Sequence, residues 1–368
     1  MIRHHRIIKV WLLSFAALLA VGLTFSQAPK RMWTPNKVPA NTQFVGTQAC
    51  AECHANKVKS HAKTTMGRAL EIVATAEILT KHPKLTFRAG NYSYEILRQG
   101  EQSIYSVTDG KETIALPILY VFGLGQAGQT YVLQGKEGLY ESRLSFYNEI
   151  QGLDTTIGQS REAPLSLTDA VGRLMPKDET LQCFSCHTTG AVKGGKLEYQ
   201  GLVPGISCEA CHGPGGEHIA LGQKGEPNKH KIFNPGKLSG DDLSQEFCAS
   251  CHRSVEDVTA LPRLGGINNV RFQPYRIFNS KCYSDDRRIS CIGCHDVHEP
   301  LKEEAAYYDA KCMACHATKQ AEAPIRRCKV ATKNCASCHM PKIELPGAHF
   351  KFTDHRIRIV KPGEPYPF

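Results

Sequence analysis

Seven times in this chain a cysteine is followed three positions later by a second cysteine and then at once by a histidine. The frames are Cys50/Cys53/His54, Cys183/Cys186/His187, Cys208/Cys211/His212, Cys248/Cys251/His252, Cys291/Cys294/His295, Cys312/Cys315/His316 and Cys335/Cys338/His339. With 16 cysteines and 16 histidines among 368 residues, random order would yield roughly 0.03 such frames, so the spacing answers a chemical requirement. Two thiols three positions apart on a helical turn share one side, and the next residue projects its imidazole from the same turn. That geometry attaches a single haem through two thioethers and presents a proximal ligand to its iron. Zinc ribbons and redox dithiols also use paired cysteines, but they have no need of a histidine after every second one. The frames therefore predict seven covalently bound haem c groups, with His54, His187, His212, His252, His295, His316 and His339 as proximal iron ligands.

Haem is attached to such frames on the outer side of the bacterial inner membrane, and the N-terminus agrees. Arg3, Arg6 and Lys9 precede an apolar run from Val10 to Phe25, and Ser26-Gln27-Ala28 offers small residues for cleavage. The run is shorter than the roughly 20 residues a spanning helix needs. Pro29 would hinder cleavage, so residues 1–28 read either as a signal peptide or as an N-terminal anchor in the inner membrane. A periplasmic or extracytoplasmic location follows in both cases. The formal net charge of +10 falls to +7 without the three basic residues of that segment. Seven oxidised haems with ionised propionates would each remove about one more charge. The lysines and arginines then read as propionate partners, and nucleic acid is not expected as a ligand.

Residues 29–46 read as a linker and 47–84 as the first haem segment, with a helix expected from Ala51 to Leu79. Residues 85–165 carry alternating and aromatic runs such as Tyr92–Ile96, Ser103–Val107 and Thr130–Leu133, with Asp109-Gly110 as a hairpin signal. This β-rich insert holds no cysteine and reads as a packing lid. Residues 166–357 form a six-haem domain and 358–368 a tail. Between Cys183 and His339 there is one frame per about 26 residues, too little chain for a large aliphatic core, so porphyrin faces must serve as core. The expected fold is mainly α and irregular, wrapped around stacked haems, with a small antiparallel β insert.

Outside the frames and the export segment stand His61, His82, His218, His230, His298, His349 and His355, seven histidines for seven irons. The match favours bis-histidine coordination and low-potential, ligand-saturated irons. His298, expected on the same turn as His295, cannot lie trans to it and should serve a neighbouring haem. Met66 competes with His61 for one iron. Cys282 and Cys328 remain, either as a disulfide across the last haems or as two free thiols.

Several blocks resemble the multihaem cytochromes of the cytochrome c-554 family, in particular the seven-frame version that precedes tetratricopeptide repeats. They are Cys50–His54 with Thr65–Arg68, Ile206–Gly216 followed by His218, Cys294–His298, and Cys338–Lys342 followed by His349 and Thr353-Asp354-His355. The resemblance covers most of residues 46–357. It implies that Met66, His218, His298, His349 and His355 are axial ligands, with Met66 giving the first haem His/Met ligation. His61 stands where the family usually has tryptophan and Phe87 where it often has histidine; the repeats are absent. The expected role is electron transfer between redox proteins or a quinol-linked membrane complex. The alternative is a haem-based oxidoreductase acting on a small nitrogen or sulfur compound at one open-coordination iron, with an extracellular haem filament or membrane redox complex as a third reading. No frame ends in lysine, so the catalytic haem of ammonia-forming nitrite reductases is missing.

Overall fold

A computed structural model describes residues 32–226, 231–261, 264–283, 289–316, 328–361 and 363–366. All elements named below belong to the second of the chain's two units, Thr34–Phe368. The export segment and His230 lie outside the described residues.

Helix α1, Thr47–His61, carries the first frame and bends at His54 (φ −118°, ψ 35°). The helix expected to run on to Leu79 stops at His61 instead. Thr64 Oγ1 donates to the His61 carbonyl (2.7 Å) and accepts the Gly67 N–H (2.9 Å), a side-chain alternative to the helical ladder. Gly67 fits because a Cβ there would stand 2.5 Å from that carbonyl. Beyond the turn, Leu70–Ile72 (β1) pairs with a later strand, and Glu77–Lys81 (α2) is a separate short helix.

The middle of the chain is one nine-stranded antiparallel sheet: β1, then β2 (Lys84–Ala89), β3 (Tyr92–Gln99), β4 (Gln102–Thr108), β5 (Thr113–Phe122), β6 (Gln129–Gln134), β7 (Leu139–Tyr147), β8 (Gly152–Thr155) and β9 (Gly172–Leu174). Strands β2 to β8 pair in sequence order, with β1 on β5 and β9 on β7. β2 also meets β8, so the sheet is nearly closed. This corrects the expectation of a mainly α protein with a small insert: the sheet is a principal layer of the fold. Its strands begin at Leu70 and end at Leu174. Those end strands are only three residues long, too short to show a periodic pattern.

The local reasons are legible. In β4 the residues alternate between buried and more open from Ser103 to Val107, as a pleated strand with one covered face requires. Asp109 Oδ1 accepts the N–H groups of Lys111 and Glu112, both at 2.8 Å, and Gly110 supplies a φ of +89° for the β4–β5 turn. Helix α3, Leu167–Val171, is capped by Ser166 and adds Ala170 and Val171 to the apolar core. It packs against β4, β5 and β7. It ends at Gly172, where a Cβ would lie 2.1 Å from the Glu141 carbonyl.

The remaining frames sit on short helices joined by irregular chain. These are α4 (Lys177–His187), α5 (Cys208–His212), α6 (Gly216–Gln223), α7 (Ala249–His252), α8 (Val255–Ala260), α9 (Gln273–Phe278), α10 (Cys291–Cys294), α11 (Ala305–His316) and α12 (Cys335–His339). A π-helical turn, Asp242–Cys248, leads into α7, and Lys342–Glu344 pairs with Lys351–Thr353 as a small hairpin.

Candidate haem-binding sites

None of the fourteen frame cysteines is fully buried, and each of the seven frame histidines keeps some open surface. Surrounding protein nevertheless holds His187, His212, His252 and His295 below the ordinary imidazole value. The neutral imidazole so favoured is the form that binds iron.

The two thiols of the first frame are not equivalent. The sequence assigns Cys50 and Cys53 alike to covalent attachment of one porphyrin, but the structure leaves Cys53 exposed while Cys50 is partly covered. The cause is local: α1 has no fully buried residue, and its cover comes from the third frame, whose Cys208 and Glu209 lie against Cys50. Cys53, three positions on, stands in the open. The second thiols of the sixth and seventh frames, Cys315 and Cys338, are exposed as well.

Orientation of the imidazoles comes from the other ring nitrogen. His187 Nδ1–H donates to the Ala69 carbonyl, His212 Nδ1–H to Phe233 and His339 Nδ1–H to Arg358, each at 2.9 Å. Outside the frames, His355 Nδ1–H donates to the Thr353 carbonyl at 3.0 Å. Each bond fixes the tautomer that leaves Nε2 for a metal.

Three frame histidines face a second imidazole. His54 and His218 have ring centres 6.4 Å apart with planes 11° from parallel. His212 and His298 stand 6.1 Å apart at 16°, and His295 and His355 stand 6.3 Å apart at 41°. A metal–imidazole bond of about 2.0–2.1 Å, extended by the ~1.1 Å from Nε2 to the ring centre, separates the centres of two trans imidazoles by about 6.3 Å. The three measured separations match that distance. His61, at the end of α1, is held low by burial and then by its neighbours His298 and His212. The His212 ring in turn feels His298, His54 and His218, so the first two pairs form one cluster.

Buried carboxylates hold these segments together, and sequence reasoning missed them. Glu209, inside the third frame and 2% exposed, accepts the N–H groups of Val45 (3.0 Å), Gly46 (2.8 Å) and Gly215 (2.9 Å). It thereby ties the approach to α1 and the approach to α6 to the third frame, which brings His218 to His54. Asp309 accepts the N–H groups of Asn334 (2.7 Å) and Cys335 (2.8 Å), joining the sixth frame to the seventh. Asp354, beside His355 and wholly buried, makes a two-point ion pair with Arg276 (2.8 and 2.9 Å) and a further bond to Arg358 (2.7 Å). The presence of these acids is plain in the sequence; their partners lie 25 to 164 positions away in the longest cases, and no local signal names them.

Cysteines of different frames also come together. Cys186 is held low, to about 7, by its hydrogen bond with Cys251, and Cys291 likewise by Cys248; the partner thiol is pushed up in each case. Burial and then Cys208 raise Cys50 to about 11, and Cys335 feels Cys312. These contacts link the first frame with the third, the second with the fourth, the fourth with the fifth and the sixth with the seventh.

The other expected residues are placed as follows. His298 and His295 do not share a helical turn: α10 ends at Cys294 and His295 is extended. The Asp296–His298 segment docks on α1, where Ser60 Oγ donates to the His298 carbonyl at 2.7 Å. Met66 lies in the turn after α1, its carbonyl accepting the Ile206 N–H at 2.9 Å. His82 packs on Phe146 of the sheet, ring centres 4.9 Å apart. His349 Nε2–H donates to Asp154 of β8 at 2.7 Å, and its ring lies 4.8 Å from Tyr147. Cys282 sits beside Cys294, Cys312 and Cys315, Cys328 is exposed, and both are free thiols.

Repeated attachment frames joined to oriented, paired imidazoles are the features of multihaem c-type cytochromes. Several known proteins are similar to parts of the chain. Residues 156–213, spanning the second and third frames, match the family model for cytochrome c554 and c-prime. The multiheme cytochrome MtrA of Shewanella baltica (strain OS185) is 25% identical over 194 residues, 49% of this chain and 51% of that protein. Cytochrome c-554 of Nitrosomonas europaea is 32% identical over 83 residues, 20% of this chain and 35% of that protein. The chain thus spans about half or less of the length of the curated relatives it matches. The crystal structure of outer cell wall cytochrome OcwA aligns over 57% of this chain and 37% of that chain, at 19% identity and a TM-score of 0.31. No helix among the described residues is long and apolar enough to cross a membrane.

Proposed function

We propose that the chain carries seven haems c, one per frame, and relays electrons between redox proteins outside the cytoplasm. The observation that carries this reading is the set of three imidazole pairs at 6.1–6.4 Å. On it, His54 and His218 hold the first iron, His212 and His298 the third, and His295 and His355 the fifth. The resemblance implied Met66 for the first iron; the facing ring of His218 favours His218 instead. Six-coordinate irons of this kind exchange electrons without binding substrate. The residues do three things: thiols attach the porphyrin, carbonyls hold each Nδ1–H so that Nε2 meets iron, and thiol contacts between frames bring neighbouring porphyrins close. With Cys53 in the open, the first porphyrin keeps one edge at the surface, a point where electrons can enter or leave. The contacts support a path from the first frame to the third, and a second group joining frames two, four and five, with the sixth and seventh as a further pair.

A second reading, reduction or oxidation of a small nitrogen or sulfur compound at one open iron, is favoured by the placement of His82 and His349. Both engage the sheet, on Phe146 and Asp154. Without them, His61, His218, His230, His298, His355 and Met66 remain of the distal candidates, one fewer than the seven irons.

Intact mass and electron paramagnetic resonance of the purified protein separate these readings. Seven haem masses with only low-spin iron are expected for a relay. Fewer haems would remove the count of seven, and a stoichiometric high-spin signal would put the second reading first.

A further inference from the structure

Around the fourth frame the structure leaves a set of buried polar atoms without partners: Arg271 Nε, Gln273 Oε1, Gln245 Oε1 and Asn36 Oδ1. Asn36, Gln245 and Gln273 border Cys248–His252, and Arg271 stands two positions before Gln273, at the start of the α9 segment that packs on α7. Asn36 Nδ2 donates to the Ser250 carbonyl, Gln245 Nε2 donates to the Pro274 carbonyl at 2.8 Å, and the Gln273 side chain lies beside His252. Native interiors seldom leave such groups unmet, and each one asks for a partner.

Arg271 is the most demanding of them because it is charged. Among the described residues it has no carboxylate within ion-pair distance, and its guanidinium stands over the ring of Phe272, 5.6 Å from the centre. Burial alone lowers its affinity for its proton, with no neighbouring charge to oppose this. Arg276, five residues on, shows how the same segment treats a buried guanidinium that has an anion: it is 1% exposed and paired with Asp354, Asn269 and the ring of Tyr366. Arg271 is half-buried, with its Nε shielded from water and unmet, and such a partly desolvated cation favours an anion beside it. A haem attached at Cys248 and Cys251 brings two carboxylates to this place, and the planar fork of arginine matches a carboxylate at two points.

We propose that Arg271 holds a propionate of the haem attached through Cys248 and Cys251, with Gln273 orienting His252 beneath it. This rests on the reading that the fourth frame carries haem. Arg271 is a positioning residue, acting on the iron through the charge it places beside the porphyrin edge.

The test uses the fully loaded protein. Arg271→Gln leaves the propionate charge uncompensated, which favours ferric iron. One component of the redox titration should move to lower potential by about tenfold in its equilibrium constant, 59 mV for a one-electron couple, while the others keep their positions. In Arg271→Lys, a carbodiimide should join the introduced amine to the propionate with loss of water, and mass spectrometry should find the link on the haem peptide containing Cys248 and Cys251. An unshifted titration in a fully loaded Arg271→Gln protein, or no link to that peptide in Arg271→Lys, overturns the proposal. If Arg271→Gln does not mature, the cross-link decides alone. A wild-type peptide without haem at Cys248 and Cys251 would instead defeat the reading beneath it.

Discussion

The nine-stranded sheet and the frame-bearing stretch from Cys183 to His339 differ in what they bury, although Leu70 of the sheet shares a small apolar cluster with Phe184, Ala191 and Val192. The main apolar cluster takes all its buried members from Val73 to Val171 and includes the fully covered Tyr105, Tyr131, Leu133, Leu144 and Phe146. In the frame-bearing stretch the inner positions include charged and amide groups, such as Glu209, Asn269 and Arg276, each 2% exposed or less. Its helices are short, several of only four to six residues, well below the length at which a helix persists on its own. One region has its core in its own side chains. The other buries fewer apolar side chains, Phe184, Leu243, Phe247 and Val270 among them, beside backbone staples and the frame histidines.

The largest test of this contrast is to make the protein without haem attachment. Hydrogen exchange should then show protected amides in β3 to β7 and fast exchange from α4 to α12; equal protection in both regions would break the contrast. Next in size is Asp354→Asn, which strips Arg276 and Arg358 of their buried anion and should cost about 3–5 kcal/mol in chemical denaturation. Arg276, Arg358 and the Arg356 N–H, working against burial, hold the Asp354 carboxyl below its usual value. Its contribution is therefore present above the unfolded carboxylate value, near 3.9, and is lost as pH falls through the folded value. Wild-type stability should drop below about pH 4, and the Asn variant should lose less there.

Within the sheet, Leu133→Ala should cost about 2–5 kcal/mol, seen as a lower melting temperature, with haem absorbance unchanged; a spectral change would mean that the sheet's main cluster supports the frames as well. His218→Ala should turn a single haem high-spin with little loss of stability, and Met66→Ala should leave the spectra as they are. The reverse pattern would return the first iron to His/Met ligation. The smallest effect is expected for Lys57→Ala, whose 3.3 Å pair with Asp296 is largely exposed and should matter by no more than about 1 kcal/mol.

Much of the sheet could be read from the chain: the runs in β3, β4 and β6 and the turn at Asp109-Gly110 all lie where alternation and turn chemistry put them. The full sheet could not. Leu70–Ile72 follows a helical pattern whose continuation looks unbroken, and only pairing with Tyr120–Phe122 makes it a strand. Similarly, His82 and His349 look like free imidazoles in sequence, and their contacts with Phe146 and Asp154 come from residues 64 and 195 positions away.

The attachment frames are visible in the chain because their chemistry is local: two thiols and an imidazole must reach one porphyrin from a single turn, and that demand is written in five consecutive residues. How far each frame is covered is not local, which is why Cys50 and Cys53 look alike in sequence and differ in the fold. The facing of His54 by His218, His212 by His298 and His295 by His355 likewise belongs to the tertiary structure. Those partners are far apart in sequence and are brought together by Glu209, the docking of Asp296–His298 on α1 and the Asp354 network. Spacing can specify what one helical turn holds, whereas a contact between distant segments depends on how every segment between them packs.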